Sequence, residues 1–273
     1  MHHSPILIEN AEVYSPARLG RKSILCLNGK IVAVENEISK TTVDELARFL
    51  RASAIVIDAK GHSVFPGLVD PHQHLTGGSG EDGFATQTPS ITLDELIEGG
   101  ITTVVGCVGV DTYTQNLPHL FGRVRALCEE GISAHMYTGG YDVPPKTLTG
   151  DLRTDLLIVR EVIGIGETAI ADLRSTQPST AELVRIVSHG RSASLLTGKC
   201  GITHFHVGDE KCGLGQLREM LDQYDIRPEF LYPTHVERTP SLLKEAADIT
   251  HRGVPVDMDT CEEETVRELA QFI

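Results

Sequence analysis

Two histidines separated by one residue, His72 and His74, lie in the stretch VDPHQHLTGGSGED at positions 69–82. Residues at i and i+2 of a strand point to the same side, so this pair could present two imidazoles to one metal ion. An isolated HxH pair is nevertheless more often a surface or packing feature than a pair of ligands. The spacing therefore predicts a metal site only if other ligands converge on it.

Three further candidate ligands are spread along the rest of the chain: Glu167, His206 and His235. Nitrogen and oxygen donors of these types are the ligands that zinc prefers. Taken singly, each would more often be a hydrogen-bonded core histidine or a solvated acid. His204 lies two residues before His206 and faces the same side of a strand, where we expect a structural or supporting role.

The elements that could position these residues alternate from Val64 onward between short apolar strands and stretches with apolar residues at helical spacing. The predicted strands are residues 67–70, 102–109, 133–139, 167–172, 203–208, 230–235 and 255–259. Repeated strand–helix units imply parallel strands, and seven in succession favour an α/β fold of the (β/α)8, or TIM-barrel, type over a doubly wound sheet. Because such barrels collect functional residues at the carboxyl ends of their strands, we expect the five candidate ligands to meet there.

The beginning of the chain has a different pattern. Short β-rich runs separated by turns occur in ILIENAEVY, SILCLNGKIVAV and AIVIDAKG, with a hairpin signal at Asn28-Gly29. We therefore expect residues 1–63 to form a small sheet and residues 64–273 to form the barrel, with its strands 1 to 7.

The composition narrows the class of protein. The chain of 273 residues carries a formal net charge of −14 and no basic cluster, so nucleic acid is not an expected partner. Six cysteines without a CxxC pair are typical of a reduced cytosolic protein. We recognise no targeting segment and no apolar run of membrane-spanning length, and we expect a cytoplasmic protein with no membrane partner.

Several segments also carry a family resemblance. They are VFPGLVDPHQHLTGGSGEDG, TPSITLDELIEGGITTVVG, YTGGYDVPPKTLTGD, VIGIGETAIADLRS, GITHFHVGD and YPTHVERTP. Together, and in this order, they resemble the isoaspartyl dipeptidases, also called β-aspartyl peptidases, of the amidohydrolase superfamily. The first 63 residues are similar to the N-terminal part of the small β-sandwich that accompanies barrels of this superfamily.

The resemblance implies zinc-dependent hydrolysis of β-aspartyl dipeptides by a metal-activated hydroxide, with two Zn²⁺ ions per chain. His72 and His74 would hold one ion, His206 and His235 would hold the other, and Glu167 would bridge both. The best-known family members carry a carboxylated lysine at the bridging place. A glutamate is shorter, so its strand must approach the ions more closely or lie in a shifted register.

The resemblance also implies substrate-binding residues. Glu81 would pair with the free α-amino group of the dipeptide, and Arg174 and Arg238 would bind its carboxylates. Tyr141 would be catalytic as well as substrate-binding, donating its hydroxyl to the developing oxyanion. Without the resemblance, each of these would be interpreted as a solvated or packing residue. Val110 stands where family members often carry a hydroxyl, which removes one possible substrate hydrogen bond.

The carboxyl end departs from the superfamily pattern. A complete barrel needs an eighth strand that ends in a general-base aspartate, and we do not find that aspartate before the chain stops in TCEEETVRELAQFI, which we predict to be a helix. The nearest alternative bases are Asp257 and Asp259. From the sequence we therefore expect an incomplete barrel that is nearly inactive and self-associates as a homo-oligomer.

Two other functions remain open at this point. The chain could be another amidohydrolase that acts on a cyclic amide, such as a dihydroorotase or a hydantoinase-like protein. It could also be a non-catalytic remnant retained for metal binding or subunit association. The pair of Glu81 and Arg238 favours a zwitterionic dipeptide over a cyclic amide.

Overall fold

The computed structural model describes residues 4–259 and Arg267. The chain divides into two compact units, Met1–Gly67 and Leu68–Ile273. Each unit has its own sheet.

The first unit contains a five-stranded mixed sheet and one helix. Its elements are β1 (Ile6–Tyr14), β2 (Arg18–Leu27), β3 (Lys30–Glu35), α1 (Lys40–Phe49), β4 (Ile55–Asp58) and β5 (Ser63–Val64). The strand order is β3-β2-β1-β4, and β5 pairs with the far end of β1. Asn28 and Gly29 join β2 to β3 with φ of 51° and 72°, the positive values that a tight hairpin turn requires.

Helix α1 is absent from the sequence-based prediction. Its ten residues are mostly polar, and only Val43 and Ala47, one turn apart, are buried. The helix is short and poor in apolar residues, which hides it between the β-rich runs on either side.

In its described residues, the second unit contains six strands that are all parallel and lie side by side in chain order. They are β6 (Leu68–Gln73), β7 (Ile101–Gly106), β8 (Ser133–Thr138), β9 (Val162–Ile170), β10 (Thr203–Val207) and β11 (Leu231–Thr234). The helices are α2 (Leu93–Glu98), α3 (Leu117–Glu130), α4 (Leu152–Ile158), α5 (Thr180–Thr197), α6 (Gly215–Gln223) and α7 (Pro240–Thr250). The predicted fold class, an incomplete barrel of strand–helix units, is confirmed.

The helices begin where short polar side chains satisfy exposed backbone N–H groups. Thr92 and Glu95 form a reciprocal capping box at the start of α2, and Ser179 and Glu182 form another at α5. Apolar side chains from the helices and from the outward faces of the strands then pack into one continuous core.

The sheet curls so that its two outer strands approach each other at their carboxyl ends. The ring of His72 on β6 lies with its Nδ1 3.3 Å from Oγ1 of Thr234 on β11. The hydroxyl of Tyr137 on β8 also donates to the carbonyl of Pro71 on β6 at 3.0 Å. Because neighbouring strands rotate against each other in a consistent sense, six of them are enough to bring these ends together.

Two details of the predicted barrel are wrong. The fourth strand begins at Val162 and not at Glu167, since the apolar run before Glu167 is buried in the sheet and the preceding helix stops at Ile158. Residues 255–259, predicted as a seventh strand, form no strand. The backbone N–H of Asp257 nevertheless donates to the carbonyl of Pro233 at 2.9 Å, so the segment still runs beside β11.

The predicted C-terminal helix in TCEEETVRELAQFI lies outside the described residues, apart from Arg267. Within the described part of the chain, none of the helices combines the length and the apolarity needed to cross a membrane.

Candidate metal centre

The carboxylate of Glu167 lies between two pairs of histidines. Its Oε2 faces Nε2 of His72 at 3.4 Å and Nε2 of His74 at 3.7 Å, which we call the first pair. Its Oε1 faces Nδ1 of His206 at 2.5 Å and Nε2 of His235 at 3.4 Å, the second pair. The glutamate side chain is fully buried. The structure thus brings together all five residues predicted as ligands, with one carboxylate oxygen directed at each pair.

A bulge in β9 aims Glu167 at the histidines. Ile165 pairs with Thr203 but Thr168 pairs with Phe205, so β9 has one residue more than β10 at this point. Gly166 has a φ of 145°, and a Cβ there would lie 2.5 Å from the carbonyl oxygen of His204. Only a glycine allows the two strands to come this close, and the shifted register is how a side chain as short as glutamate reaches both pairs.

Two buried polar atoms at the first pair have no hydrogen-bond partner among the described residues. They are Nε2 of His72 and Oε2 of Glu167, the carboxylate oxygen that faces this pair. Buried polar atoms are normally hydrogen-bonded, because leaving them unpaired costs free energy. A nitrogen donor and a carboxylate oxygen that face each other across 3.4 Å fit a divalent cation bound by both. The residues present therefore suit a divalent metal ion.

The charge state of the centre also suits a cation. Burial raises the pKa of Glu167, but the imidazoles of His206 and His235 outweigh this and hold the pKa well below its usual range. Burial lowers the pKa of His74 and, against the opposing effect of Glu167, that of His206. Burial also disfavours the charged forms of His72 and His235, but Cys107, Asp257 and Glu167 raise the pKa of His72, and Asp259 and Glu167 raise the pKa of His235. Neutral imidazole is the form that binds metal, so His74 and His206 are ready ligands, whereas His72 and His235 would release a proton when an ion binds.

The second pair is held by further polar groups. The hydroxyl of Tyr141 lies 2.7 Å from Nδ1 of His206, and Oδ2 of Asp172 lies 3.1 Å from its Nε2. His235 Nδ1 lies 2.5 Å from Oδ2 of Asp259. These contacts fix the orientation of both rings, as carboxylate partners of ligating histidines commonly do.

The predicted substrate-binding arginine Arg174 lies beside this second pair. Its Nε and Nη2 donate to the two oxygens of Asp172 at 2.9 and 2.7 Å, and its Nη1 donates to Glu81 at 2.7 and 2.8 Å. The guanidinium also lies over the ring of Tyr141, 5.5 Å from its centroid. Arg238 is farther away, with its Nη1 3.9 Å from Oδ2 of Asp172. Three of the four predicted recognition residues therefore form one cluster, and the fourth lies at its edge.

His204 lies next to the centre and is fully buried. Its ring stacks between Tyr137 and Tyr232, with centroids 5.1 and 5.0 Å away, and its Nδ1 is 3.0 Å from the Tyr232 carbonyl. Burial lowers its pKa to about 4. The ring packs edge-on against His72 at 4.8 Å, a position that suits the supporting role expected for it.

Two residues beside the ligands went unnoticed in the sequence. Asp172 anchors both Arg174 and His206, and its pKa is low because hydrogen bonds from Arg174 outweigh the effect of burial. Asp172 could have been predicted from the sequence, because it lies at the end of a strand and two residues before an arginine. Cys107 lies against the first pair and could be found only by knowing that β7 is the neighbour of β6.

No protein-family model matches the chain. Among solved structures, it is similar to a β-aspartyl dipeptidase from the thermophilic keratin degrader Fervidobacterium islandicum AW-1 in complex with β-Asp-Leu dipeptide. The identity is 36%, the TM-score is 0.88, and the match covers 98% of this chain and 70% of that one. A second structure of that dipeptidase gives 36% identity and a TM-score of 0.89. A dihydroorotase structure, at 16% identity and a TM-score of 0.60, shares the fold.

Curated proteins give shorter or more distant matches. A dihydroorotase from Elusimicrobium minutum is 41% identical over 102 residues, 36% of this chain and 20% of that protein. A dihydroorotase from Listeria monocytogenes is 23% identical over 241 residues, 82% of this chain and 50% of that protein. The chain thus spans half or less of the length of these two relatives. With 36% identity over nearly all of its residues to the Fervidobacterium protein, the chain belongs to the β-aspartyl dipeptidase family of the amidohydrolase superfamily.

Proposed function

We propose that this protein hydrolyses the amide bond of β-aspartyl dipeptides with the help of two divalent metal ions, and that these ions are zinc. The observation that carries the proposal is the placement of Glu167, whose two oxygens are directed at two separate histidine pairs. One carboxylate between two pairs of imidazole nitrogens is what a pair of cations a few Å apart requires. His72 and His74 would hold one ion, and His206 and His235 the other.

A pair of divalent ions supplies an activated hydroxide near neutral pH and a Lewis acid for the amide carbonyl. Tyr141 supplies a hydrogen-bond donor beside them. Its hydroxyl is buried, and burial raises its pKa, so the phenol keeps its proton at neutral pH. From its place 2.7 Å from His206, that O–H is positioned to donate to an oxygen that becomes negative during hydrolysis.

The charged side chains beside the second pair, Glu81, Arg174 and Arg238, would bind the charged groups of a zwitterionic dipeptide. Glu81 is half exposed on the glycine-rich loop after β6 and is held by Arg174, so it presents a carboxylate to an incoming ammonium group. The guanidinium of Arg174 is already engaged by Glu81 and Asp172. Within the described part of the chain, the guanidinium of Arg238 has only a long contact to Asp172. It is therefore the better placed of the two arginines to bind a substrate carboxylate as a bidentate fork.

Two carboxylates are candidates for proton transfer if this chain turns over substrate. Asp257 lies with Oδ2 3.8 Å from Nδ1 of His72 and accepts a hydrogen bond from Thr234 at 2.7 Å. Asp259 lies 2.5 Å from Nδ1 of His235. Either could take a proton from water at the centre and pass it to the leaving amine.

A substrate panel tests the proposal. Purified protein saturated with zinc should release leucine from β-Asp-Leu but not from α-Asp-Leu, and removal of the metal by a chelator should abolish the release. Ring opening of dihydroorotate or of a hydantoin, with β-Asp-Leu untouched, would favour the cyclic-amide alternative, which the similarity to dihydroorotases supports. Zinc binding without turnover of any of these compounds would favour a non-catalytic role.

A cytoplasmic location and a homo-oligomeric state belong to the same proposal. The cysteines in the described part of the chain are free thiols, in keeping with a reducing compartment. Light scattering of the purified protein would give the oligomeric state directly.

A further inference from the structure

We propose that the thiolate of Cys107 is a fourth ligand of the ion held by the first pair, which gives that position two nitrogens, one oxygen and one sulfur. The inference rests on the proposed metal centre and adds to it a ligand of a different chemical kind.

The backbone places Cys107 at the first pair. It is the first residue after β7 and is fully buried. Its N–H donates to the carbonyl of Gln73 at 3.0 Å, and Gln73 is the residue between the two histidines of the pair. The sulfur, a ring nitrogen of each of His72 and His74, and a carboxylate oxygen of Glu167 all lie within 4.8 Å of one another.

The unpaired atoms described above point into this same space. Nε2 of His72 belongs to a side chain that is only 9% exposed, and Oε2 of Glu167 to one that is fully buried. A divalent cation bound between them and the sulfur would satisfy both atoms. It would also release the proton of the thiol, because a coordinating thiol is deprotonated by the metal. Four ligands of these types match the tetrahedral preference of zinc.

The alternative is that Cys107 only fills space. It packs in a small apolar cluster with Val105 and Tyr137, and a buried cysteine often acts as a small hydrophobic residue. The two roles make different predictions about the metal. A packing residue leaves both ions with nitrogen and oxygen ligands only. A thiolate ligand makes the two positions unlike, since the group of Glu167, His206 and His235 contains no cysteine.

X-ray absorption of the zinc-loaded protein separates these roles, because Zn–S bonds are about 2.3 Å long and Zn–N bonds about 2.0–2.1 Å. We expect about one sulfur neighbour for every two zinc ions. In Cys107→Ser the sulfur signal should vanish. The Kd for one of the two ions should rise at least about 10-fold, because the loss of a residue that merely supports a ligand already weakens metal binding by that factor. The control Cys212→Ser, at an exposed cysteine, should change neither.

The remaining outcomes distinguish this inference from the function on which it rests. Two zinc ions with no sulfur neighbour would overturn the role of Cys107 and leave the metal centre standing. No zinc in folded protein, with folding shown by circular dichroism, would overturn the metal centre and this inference with it. If Cys107→Ser does not fold, the native protein loaded with cobalt(II) decides: a thiolate-to-cobalt charge-transfer band supports the ligand role, and its absence overturns it.

Discussion

The two histidine pairs share one carboxylate but depend on the rest of the protein in opposite ways. The second pair is surrounded by groups that already hold its rings: Tyr141 and Asp172 contact His206, and Asp259 contacts His235. In the first pair, Nδ1 of His72 contacts Thr234, but Nε2 of His72 and the nearer oxygen of Glu167 have no hydrogen-bond partner among the described residues. One half of the centre is therefore organised by protein hydrogen bonds, whereas the other needs an ion to satisfy it.

This difference shows how a fold can prepare one ligand set and leave its neighbour to be completed by binding. Hydrogen bonds that orient a ring lower the entropy lost when a metal arrives. Unpaired atoms raise the free energy of the metal-free state, so the ion that satisfies them gains in effective affinity. We expect the first pair to bind its ion more tightly than the second. Four experiments test this comparison.

The largest effect should come from removing the charge that both pairs share. Glu167→Gln replaces one anionic oxygen by an amide that donates hydrogen bonds toward ring nitrogens, so bound zinc should fall from two ions to one or none. Hydrolysis of β-Asp-Leu should fall by at least about 100-fold. Elemental analysis and steady-state kinetics measure these. The matched control is Glu161→Gln, the same change just before the same strand, where the carboxylate pairs with Arg125 and should not affect zinc.

The next effect should separate the two pairs. In Gly166→Ala the added Cβ would overlap the backbone of His204, which forces β9 away from β10 and Glu167 away from the second pair. We expect a loss of roughly 2–3 kcal/mol in the free energy of unfolding. The zinc that remains should be the ion with the sulfur neighbour. Gly150→Ala is the control, because that glycine also has a positive φ but open space around it, and should cost only about 1 kcal/mol. Equal losses for the two variants would contradict the close approach of the strands.

A smaller effect should leave both pairs intact. Arg238→Lys replaces a planar fork with a point charge, so kcat/KM for β-Asp-Leu should fall about 10-fold or more, equivalent to about 1.4 kcal/mol, with two zinc ions still bound. Lys substitution at Arg252, which pairs with Asp222 on the surface, is the control and should leave the kinetics unchanged. Unchanged kinetics in Arg238→Lys would remove Arg238 from substrate recognition.

The smallest expected signal lies in the metal-free protein itself. After zinc is removed, amide hydrogen exchange should accelerate more in residues 72–75, at the first pair, than in residues 204–207, where the rings of the second pair stay hydrogen-bonded. Exchange measured by mass spectrometry with and without zinc gives both values from one sample. Equal acceleration at the two segments would show that the second pair depends on its ion as much as the first.

The order of strands and helices could be predicted from the sequence because each strand–helix unit has its own signal. Where the prediction is wrong, the local signal competes with burial in the sheet. The run before Glu167 also has apolar residues at helical spacing, but Val162 and Ile165 are fully buried in β9. Residues 255–259 have the apolar and acidic alternation of a strand, but among the described residues they make one backbone–backbone hydrogen bond, from Asp257 to Pro233, which is too few for a strand.

For the site, sequence reasoning could propose the histidines and Glu167, because residues at strand ends of a parallel barrel converge. It could not reveal contacts between side chains that are far apart in the sequence, because these depend on the path of the backbone. Glu81 and Arg174 are 93 residues apart and were assigned to different parts of a substrate, whereas the structure joins them by a double hydrogen bond. Cys107 was passed over because no local pattern distinguishes a ligand cysteine from a core cysteine.

The bulge at Gly166 should affect how much of the protein accumulates in the cell. It drives a carboxylate into the interior, where ring nitrogens meet Oε1 but Oε2 has no hydrogen-bond partner among the described residues. A newly made chain that meets no metal must keep this pocket unsatisfied, and chains that open more often are cleared by proteases. The abundance of the protein should therefore follow the zinc supply of the cell, falling in starved cultures even where its messenger RNA is constant.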